Sequence, residues 1–300
     1  MFLTKYSANG NDFLITTAIK SANRANLAKK LCDRHDGVGA DGFVVLLPHD
    51  RFAYRWEFYN ADGSKANMCG NASRCIAHYA VAHKIAPKNH SFLSGAGAIK
   101  VRVARDMVEV NLGKVRILKE NIVEFMPNYL KNNNSNSSIV SEKSGLRSCE
   151  IGDRTDSPST KQTTSLPDLS PQDEFGLDFS LLDSGVPHLV TFVSDKTKSE
   201  LAKNLAFLKT LRDKYNANVN LAAITDKSTI ELLTFERGVE NITLACGTGM
   251  CAVYFLAKSQ NLIADKATLI PPSGDKIALR LENDEVCFKG KVAKIADIII

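Results

Sequence analysis

The sequence has little of what would mark a membrane, nucleic-acid or secreted-scaffold protein. Its longest apolar runs, such as Phe43 to Leu47 and Ile298 to Ile300, fall far short of the ~20 residues a bilayer-spanning helix needs. The opening MFLTKYSANGNDF has no basic stretch followed by a long apolar segment, so no secretory leader is expected. Charge of one sign is not in large excess: 38 Lys and Arg face 33 Asp and Glu, a formal net of +5. The basic residues are scattered and form no tract interleaved with aromatics, which argues against nucleic-acid binding. No Cys-x-x-Cys and no His-x-x-x-His occurs, so a tetrahedral zinc set is not expected. The seven cysteines are odd in number and lack small-scaffold spacing. They read as thiols kept reduced in the cytoplasm.

What remains is globular. With 44% hydrophobic and 24% charged residues, the chain can bury a sizeable core, and 300 residues correspond to roughly two domains of about 150. Short strands are expected from Phe2 to Tyr6 and Phe13 to Ala18, flanking the turn dipeptide Asn9-Gly10. A helix follows from Asn23 to Cys32, then strands at Phe43 to Leu47 and Phe52 to Asn60, a helix from Ala72 to Lys84, and strands near Ser91 to Leu93, Ile99 to Ala104 and Met107 to Leu112. The stretch from Lys131 to Phe175, with its Asn-Ser and Ser-Thr tracts, is too polar to order itself and reads as a disordered insertion. Beyond it, strands are expected at Phe179 to Asp183 and His188 to Val193, and one helix from Ser199 to Lys214. Strands at Asn218 to Ile224 and Thr229 to Glu236 and a helix from Thr248 to Ser259 come next. Four closing strands start near Ala267, Lys276, Glu285 and Val292. The halves echo each other, which suggests a duplication.

The echo centres on two turns, Met68-Cys69-Gly70-Asn71-Ala72-Ser73-Arg74-Cys75 and Ala245-Cys246-Gly247-Thr248-Gly249-Met250-Cys251. In each, a cysteine precedes a glycine and a capping-type residue, Asn71 or Thr248, at a helix start. A helix start carries roughly half a positive charge and free N–H groups. A thiolate there is stabilised, and its pKa can fall from about 8.5 to roughly 3.5–7.5. The same N–H groups bind carboxylates. Cys32, Cys75, Cys149, Cys251 and Cys287 lack this context and read as structural. Two activated thiols suit either sulfur redox chemistry or inversion of a carbon stereocentre, where one group removes a proton and another returns one to the opposite face. Composition does not choose between them, and a thiol-based metal or redox binding protein stays open here.

Gly10-Asn11-Asp12-Phe13, Cys32-Asp33-Arg34-His35, Gly39-Ala40-Asp41-Gly42 and Tyr59-Asn60-Ala61-Asp62-Gly63-Ser64 follow in order along the chain. After the first cysteine turn come Asn111-Leu112-Gly113, Pro187-His188, Asn218-Val219-Asn220 and Phe235-Glu236-Arg237-Gly238, and then the second turn. In this ordered set the chain resembles the diaminopimelate epimerase family of lysine and peptidoglycan precursor synthesis.

The resemblance implies an α/β (α+β) fold of two pseudo-symmetric domains, each a mostly antiparallel sheet wrapped around a central helix. One lobe would span 1–117 with the C-terminal strand (about 290–300). The other would span 118–289 and contain the 131–175 insertion. It implies Cys69 and Cys246 as the catalytic acid/base pair, with His188 and Glu236 poising their protonation. Gly70, Asn71, Gly247 and Thr248 would hold the reacting carboxylate, and Asn11, Asn60, Asn220, Glu236 and Arg237 the rest of the substrate. It implies a cytoplasmic homodimer that acts on diaminopimelate without cofactor or metal and has no nucleic-acid or membrane partner. Val186 stands where many members carry Asn, and Gly42 where some carry Gln. A proline racemase-like amino-acid racemase is the same-fold alternative; Asn11-Asp12-Phe13 and Glu236-Arg237 favour diaminopimelate.

Overall fold

The computed structural model describes residues 1–125 and 176–300. The 131–175 insertion and Cys149 lie outside the described residues. The first lobe begins with β1 (Phe2–Ala8) and β2 (Asn11–Thr17), joined through Asn9 and Gly10. Both turn residues have positive φ, 51° and 81°, as a two-residue hairpin turn of this chemistry requires. Next come α1 (Ala25–Cys32), β3 (Gly42–Leu47), β4 (Arg55–Asn60), α2 (Gly70–Ala82), β5 (Asn89–Ser94), β6 (Gly97–Ala104) and β7 (Met107–Asn111). β8 (Arg116–Phe125) then leads to the second lobe: β9 (Gly176–Asp183), β10 (Pro187–Phe192), α3 (Asp195–Ala202), α4 (Leu205–Tyr215), β11 (Asn218–Asp226), β12 (Thr229–Glu236) and β13 (Asn241–Ile242). α5 (Gly247–Ser259), β14 (Lys266–Ile270), β15 (Ile277–Glu282), β16 (Glu285–Lys291) and β17 (Ala293–Ile299) complete the chain.

The strand pairings repeat. From β1 to β7, neighbours pair antiparallel, parallel, antiparallel, parallel, antiparallel, antiparallel. The series β9, β10, β11, β12, β14, β15, β16 repeats that order. Each lobe's final strand crosses over: β8 pairs with β9, β17 with β1, and β7 with β16 across the junction. The architecture is thus mixed α/β in two domains, each a largely antiparallel sheet around one helix, α2 or α5.

The central helices fit this position because most of their residues are small or apolar, α5 nearly all round and α2 with Asn71, Ser73 and Arg74 buried among them. In α2, residues from Gly70 to Ala77, together with Tyr79 and Ala80, are buried; in α5, Gly249 to Tyr254, Leu256 and Ala257 are buried. Both helices belong to one continuous core. Separate clusters cover the outer faces, under α1 in the first lobe and under α3 and α4 in the second.

Several elements differ from the sequence expectation. The single helix expected over Ser199–Lys214 is two helices, because Asn204 breaks the run and caps α4, its Oδ1 accepting from the Phe207 N–H at 3.0 Å. β8 was not foreseen, since its side chains are mostly exposed and carry no alternation to read. The central helices start two and one residues earlier than expected, at Gly70 and Gly247. Their N-cap positions are therefore Cys69 and Cys246 themselves, both extended in backbone, and Asn71 and Thr248 lie inside the first turn.

Candidate active site

The two helix starts face each other. A Cβ built on Gly70 would lie 4.0 Å from Gly247 Cα, and one on Gly247 would lie 3.8 Å from Gly70 Cα. Glycine at both positions lets the starts approach, and the two cysteines that precede them line one cavity of about 290 Å³. Asn11, Asn60, Gly70, Asn71, Glu236, Gly247 and Thr248 line it together with Cys69 and Cys246. The lining holds two carboxyl groups, Asp41 and Glu236, and no Lys or Arg. The groups there that favour an anion are the N–H-bearing starts of α2 and α5.

Burial dominates the thiols. It pushes Cys246 up to about 12, with the Glu236 carboxylate adding to the rise and the Thr248 hydroxyl and Gly249 N–H opposing it. Cys69 is also raised by burial; the N–H groups of Ala72 and Asn71 pull it down, Glu236 raises it and Arg74 lowers it. This corrects the expectation that the helix starts lower both thiols: the helix-end N–H groups act in that direction but lose to desolvation. Glu236 is raised by burial as well, against the Thr243 hydroxyl. One carboxyl and two thiols of raised pKa therefore share a cavity, and Glu236 acts on both sulfurs.

His188 is not on the cavity wall. It is fully buried and reaches Cys246 through Thr248. The Asn220 amide is oriented by its own bonds: Oδ1 accepts from Thr234 Oγ1 (2.9 Å), and Nδ2 spends one proton on the backbone carbonyls, Leu189 at 3.1 Å with Asn218 the longer approach at 3.3 Å, which leaves the second for His188. Nδ2 therefore faces His188 Nδ1 as a donor at 3.0 Å. Nε2 must then carry the imidazole proton and donate it to Thr248 Oγ1 at 3.0 Å. The Thr248 proton is left to point at Cys246 Sγ, 3.5 Å away. The approach of Asn218 Nδ2 to Nε2 at 3.4 Å is the contact this tautomer leaves unmade. Burial lowers His188 to about 3, so the ring is neutral. Gly249 admits the network: a Cβ there would meet Asn220 Oδ1 at 2.5 Å and Thr234 Oγ1 at 2.9 Å.

Two further expected substrate ligands lie off the cavity. Asn220 is fully buried and committed to His188. Arg237 is exposed and donates to the backbone and side-chain oxygens of Asn216, both at 3.1 Å. Asn11 and Asn71 are on the wall but bonded together, Asn71 Nδ2 donating to Asn11 Oδ1 at 2.6 Å, while Asn11 Nδ2 donates to Asp41 at 3.1 Å. Asn60 donates to Ser64 Oγ at 2.9 Å. Phe13, Asp41, Phe58, Ala66, Met68, Val239, Thr243 and Ala245 also line the cavity and are not among the expected site residues; of these, Phe13, Asp41, Met68 and Ala245 sit in the motifs that carry the resemblance. Val186 lines a second cavity of about 480 Å³ that shares Met68 and Thr248 with the first.

Two opposed helix starts, each bearing a thiol, define a two-lobed fold with a paired-cysteine cleft. The family model "Diaminopimelate epimerase" matches residues 3–118 and 180–295. A diaminopimelate epimerase of Nitratiruptor sp. is 42% identical over 295 residues, covering 98% of this chain and 96% of its own. One from Helicobacter pylori strain HPAG1 is 43% identical over 296 residues, covering 98% and 94%. Among solved structures, a phenazine biosynthesis PhzC/PhzF protein from Clostridium difficile superposes with a TM-score of 0.65 over 100% of this chain and 99% of that one, at 14% identity; it shares the fold. The chain belongs to the diaminopimelate epimerase family.

Proposed function

We propose that the protein interconverts LL- and meso-2,6-diaminopimelate without a cofactor, Cys69 and Cys246 acting as acid and base on opposite faces of one α-carbon. That both cysteines, each at the start of a central helix, line one cavity is the observation that carries this reading. Family membership and the names of the relatives supply the substrate. One sulfur, as thiolate, takes the α-proton and becomes a thiol; the other gives its proton to the opposite face and becomes the thiolate. The net charge of the site is unchanged, and the reverse reaction exchanges the roles.

The carbanion-like transition state spreads charge onto the α-carboxylate. N–H groups of the two helix starts, at Gly70, Asn71, Gly247 and Thr248, supply fixed dipoles for it. Glu236 faces both sulfurs and, with its raised pKa, is suited to exchange a proton with them and to meet a substrate ammonium. His188 supports Cys246 through Thr248. Arg237 is retained as a partner for the distal carboxylate: it follows Glu236 directly, and what holds it is two bonds to neutral groups of Asn216.

The same reading takes a small-molecule substrate and places the protein in the cytoplasm as a homodimer. Six described cysteines are free thiols, which suits a reducing compartment, and no helix among the described residues is long and apolar enough to cross a membrane. Light scattering tests the dimer. The activity is tested by turnover of LL-diaminopimelate without added cofactor. Cys69→Ala and Cys246→Ala are each expected to lower kcat by at least about 10³, the upper part of what acid–base groups contribute. Full turnover by either variant overturns the two-base assignment.

A further inference from the structure

Along the first-lobe wall of the cavity runs a chain of side chains whose hydrogen bonds all point one way. It begins at Arg74, fully buried on α2, and a guanidinium can only donate. Arg74 Nη2 donates to Asn71 Oδ1 at 2.7 Å, and its other bonds, to Asn9 Oδ1 and to the Lys291 carbonyl at 3.1 Å, hold it in place. With its oxygen facing Arg74, Asn71 must turn its Nδ2 the other way, and that nitrogen donates to Asn11 Oδ1 at 2.6 Å. Asn11 is turned in the same sense, its Nδ2 donating to Asp41 Oδ2 at 3.1 Å. The chain ends there, because a carboxylate can only accept.

Asp41 is built as that terminus. The Oδ2 that accepts from Asn11 also accepts from the Asp12 N–H at 3.1 Å, and Oδ1 accepts from Arg34 Nη2 at 2.9 Å. Arg34 grips Asp12 as well, at 2.8 and 3.2 Å, and the Asp41 N–H donates to Asp12 Oδ1 at 2.9 Å. What matters is what the two amides have left. Each carbonyl oxygen is engaged, and each nitrogen keeps one hydrogen with no partner among the described residues. Asn11 and Asn71 both line the cavity. An amide on its own can turn either pole to a ligand; charged ends of opposite sign remove that choice here, and the wall offers N–H.

We propose that Asp41 is a positioning residue: by accepting from Asn11 Nδ2 it fixes the Asn11 amide, through which the cavity reads a substrate carboxylate rather than an ammonium. This rests on the reading of the cavity as the diaminopimelate site. Asn11 bonds to neither sulfur, so its orientation governs binding more than proton transfer. A carboxylate on the wall could instead meet an ammonium directly, but three donors already converge on Asp41.

The test is steady-state turnover of LL-diaminopimelate by Asp41→Ala and Asp41→Asn. Asp41→Ala frees Asn11 to turn, so KM should rise about tenfold, or about 1.4 kcal/mol, with kcat within about threefold of wild type. Asp41→Asn can keep an oxygen in the place of Oδ2 and turn its amide nitrogen toward Arg34, which is exposed and can move. It should bring KM back to within about threefold of wild type. An unmoved KM in Asp41→Ala, a fall in kcat alone, or Asp41→Asn as impaired as Asp41→Ala overturns the proposal; the last is what direct contact with an ammonium predicts. Should Asp41→Ala not fold, Asp41→Asn and Asn11→Asp decide. Asn11→Asp keeps the acceptor for Asn71 but removes the hydrogen offered to the cavity, so its KM should rise at least about tenfold while that of Asp41→Asn stays near wild type. An unmoved KM in Asn11→Asp, or an equal rise in Asp41→Asn, ends it. Wild type without turnover would refute the diaminopimelate reading separately.

Discussion

At the residue scale, the site is a contest between desolvation and the groups that oppose it. Glu236 raises both thiols, so Glu236→Gln should speed alkylation of both at pH 8 while lowering kcat. Faster labelling with unchanged turnover would remove Glu236 from the chemistry. His188 offers a pH test of the buried network. Its folded pKa is depressed to about 3, while the unfolded chain protonates near 6.5. Stability from its neutral burial is therefore fully present above pH 6.5 and lost as pH falls towards 3, by up to ~1.4 kcal/mol per unit. Between pH 6.5 and 5, urea unfolding of wild type should lose ~2 kcal/mol more than that of His188→Gln; equal losses would contradict the buried neutral imidazole. The cysteines were legible because residue type and a glycine-bounded turn suffice to mark them, whereas Glu236 was marked only by the family resemblance. Asn220 was legible as important but not in role. A strand alternates faces, and no sequence pattern tells whether a polar residue looks into a cavity or, as here, into a buried imidazole. The direction of the thiol shifts was also hidden, since it depends on how completely two lobes exclude water.

At the element scale, what could be read follows burial. Most of β1 to β7 alternate or run apolar and lie where the pattern places strands, whereas β8, mostly exposed and broken by register shifts near Lys119 and Ile122, gave no period to detect. The α3–α4 break was readable in principle: Ser194 accepts from the Thr197 N–H at 3.1 Å and Asn204 from that of Phe207, and both are residue types that favour caps. Helical apolar spacing masked the second one. Asn204→Ala should cost about 1 kcal/mol, measured by urea unfolding, with Asn204→Asp close to wild type. An Ala variant as stable as wild type would mean that packing of Phe207, Leu208 and Leu211, not the cap, sets the start of α4.

At the scale of the whole molecule, the lobes are tied by exchange. The last strand of the first half pairs with β9 and the last strand of the chain with β1, and α2 and α5 share one core. The duplication was visible in the paired turns, but the exchange was visible only on the C-terminal side, through the family resemblance. This tie holds the two helix starts in register, so removing residues 293–300 should cost cooperative folding as well as activity. A truncated chain that unfolds in one transition at the wild-type midpoint would show that the crossing strand is dispensable.

The central claim is that two sulfurs, not one shuttling group, handle the α-proton. Early turnover of LL-diaminopimelate in deuterated water tests it most directly, with NMR and mass analysis of product and recovered substrate. The account predicts deuterium at the inverted carbon of nearly every meso product, because the returning hydron comes from a solvent-exchanged thiol, and protium in the unreacted substrate. Product that retains the original proton would show a single base returning what it took, and would contradict the account.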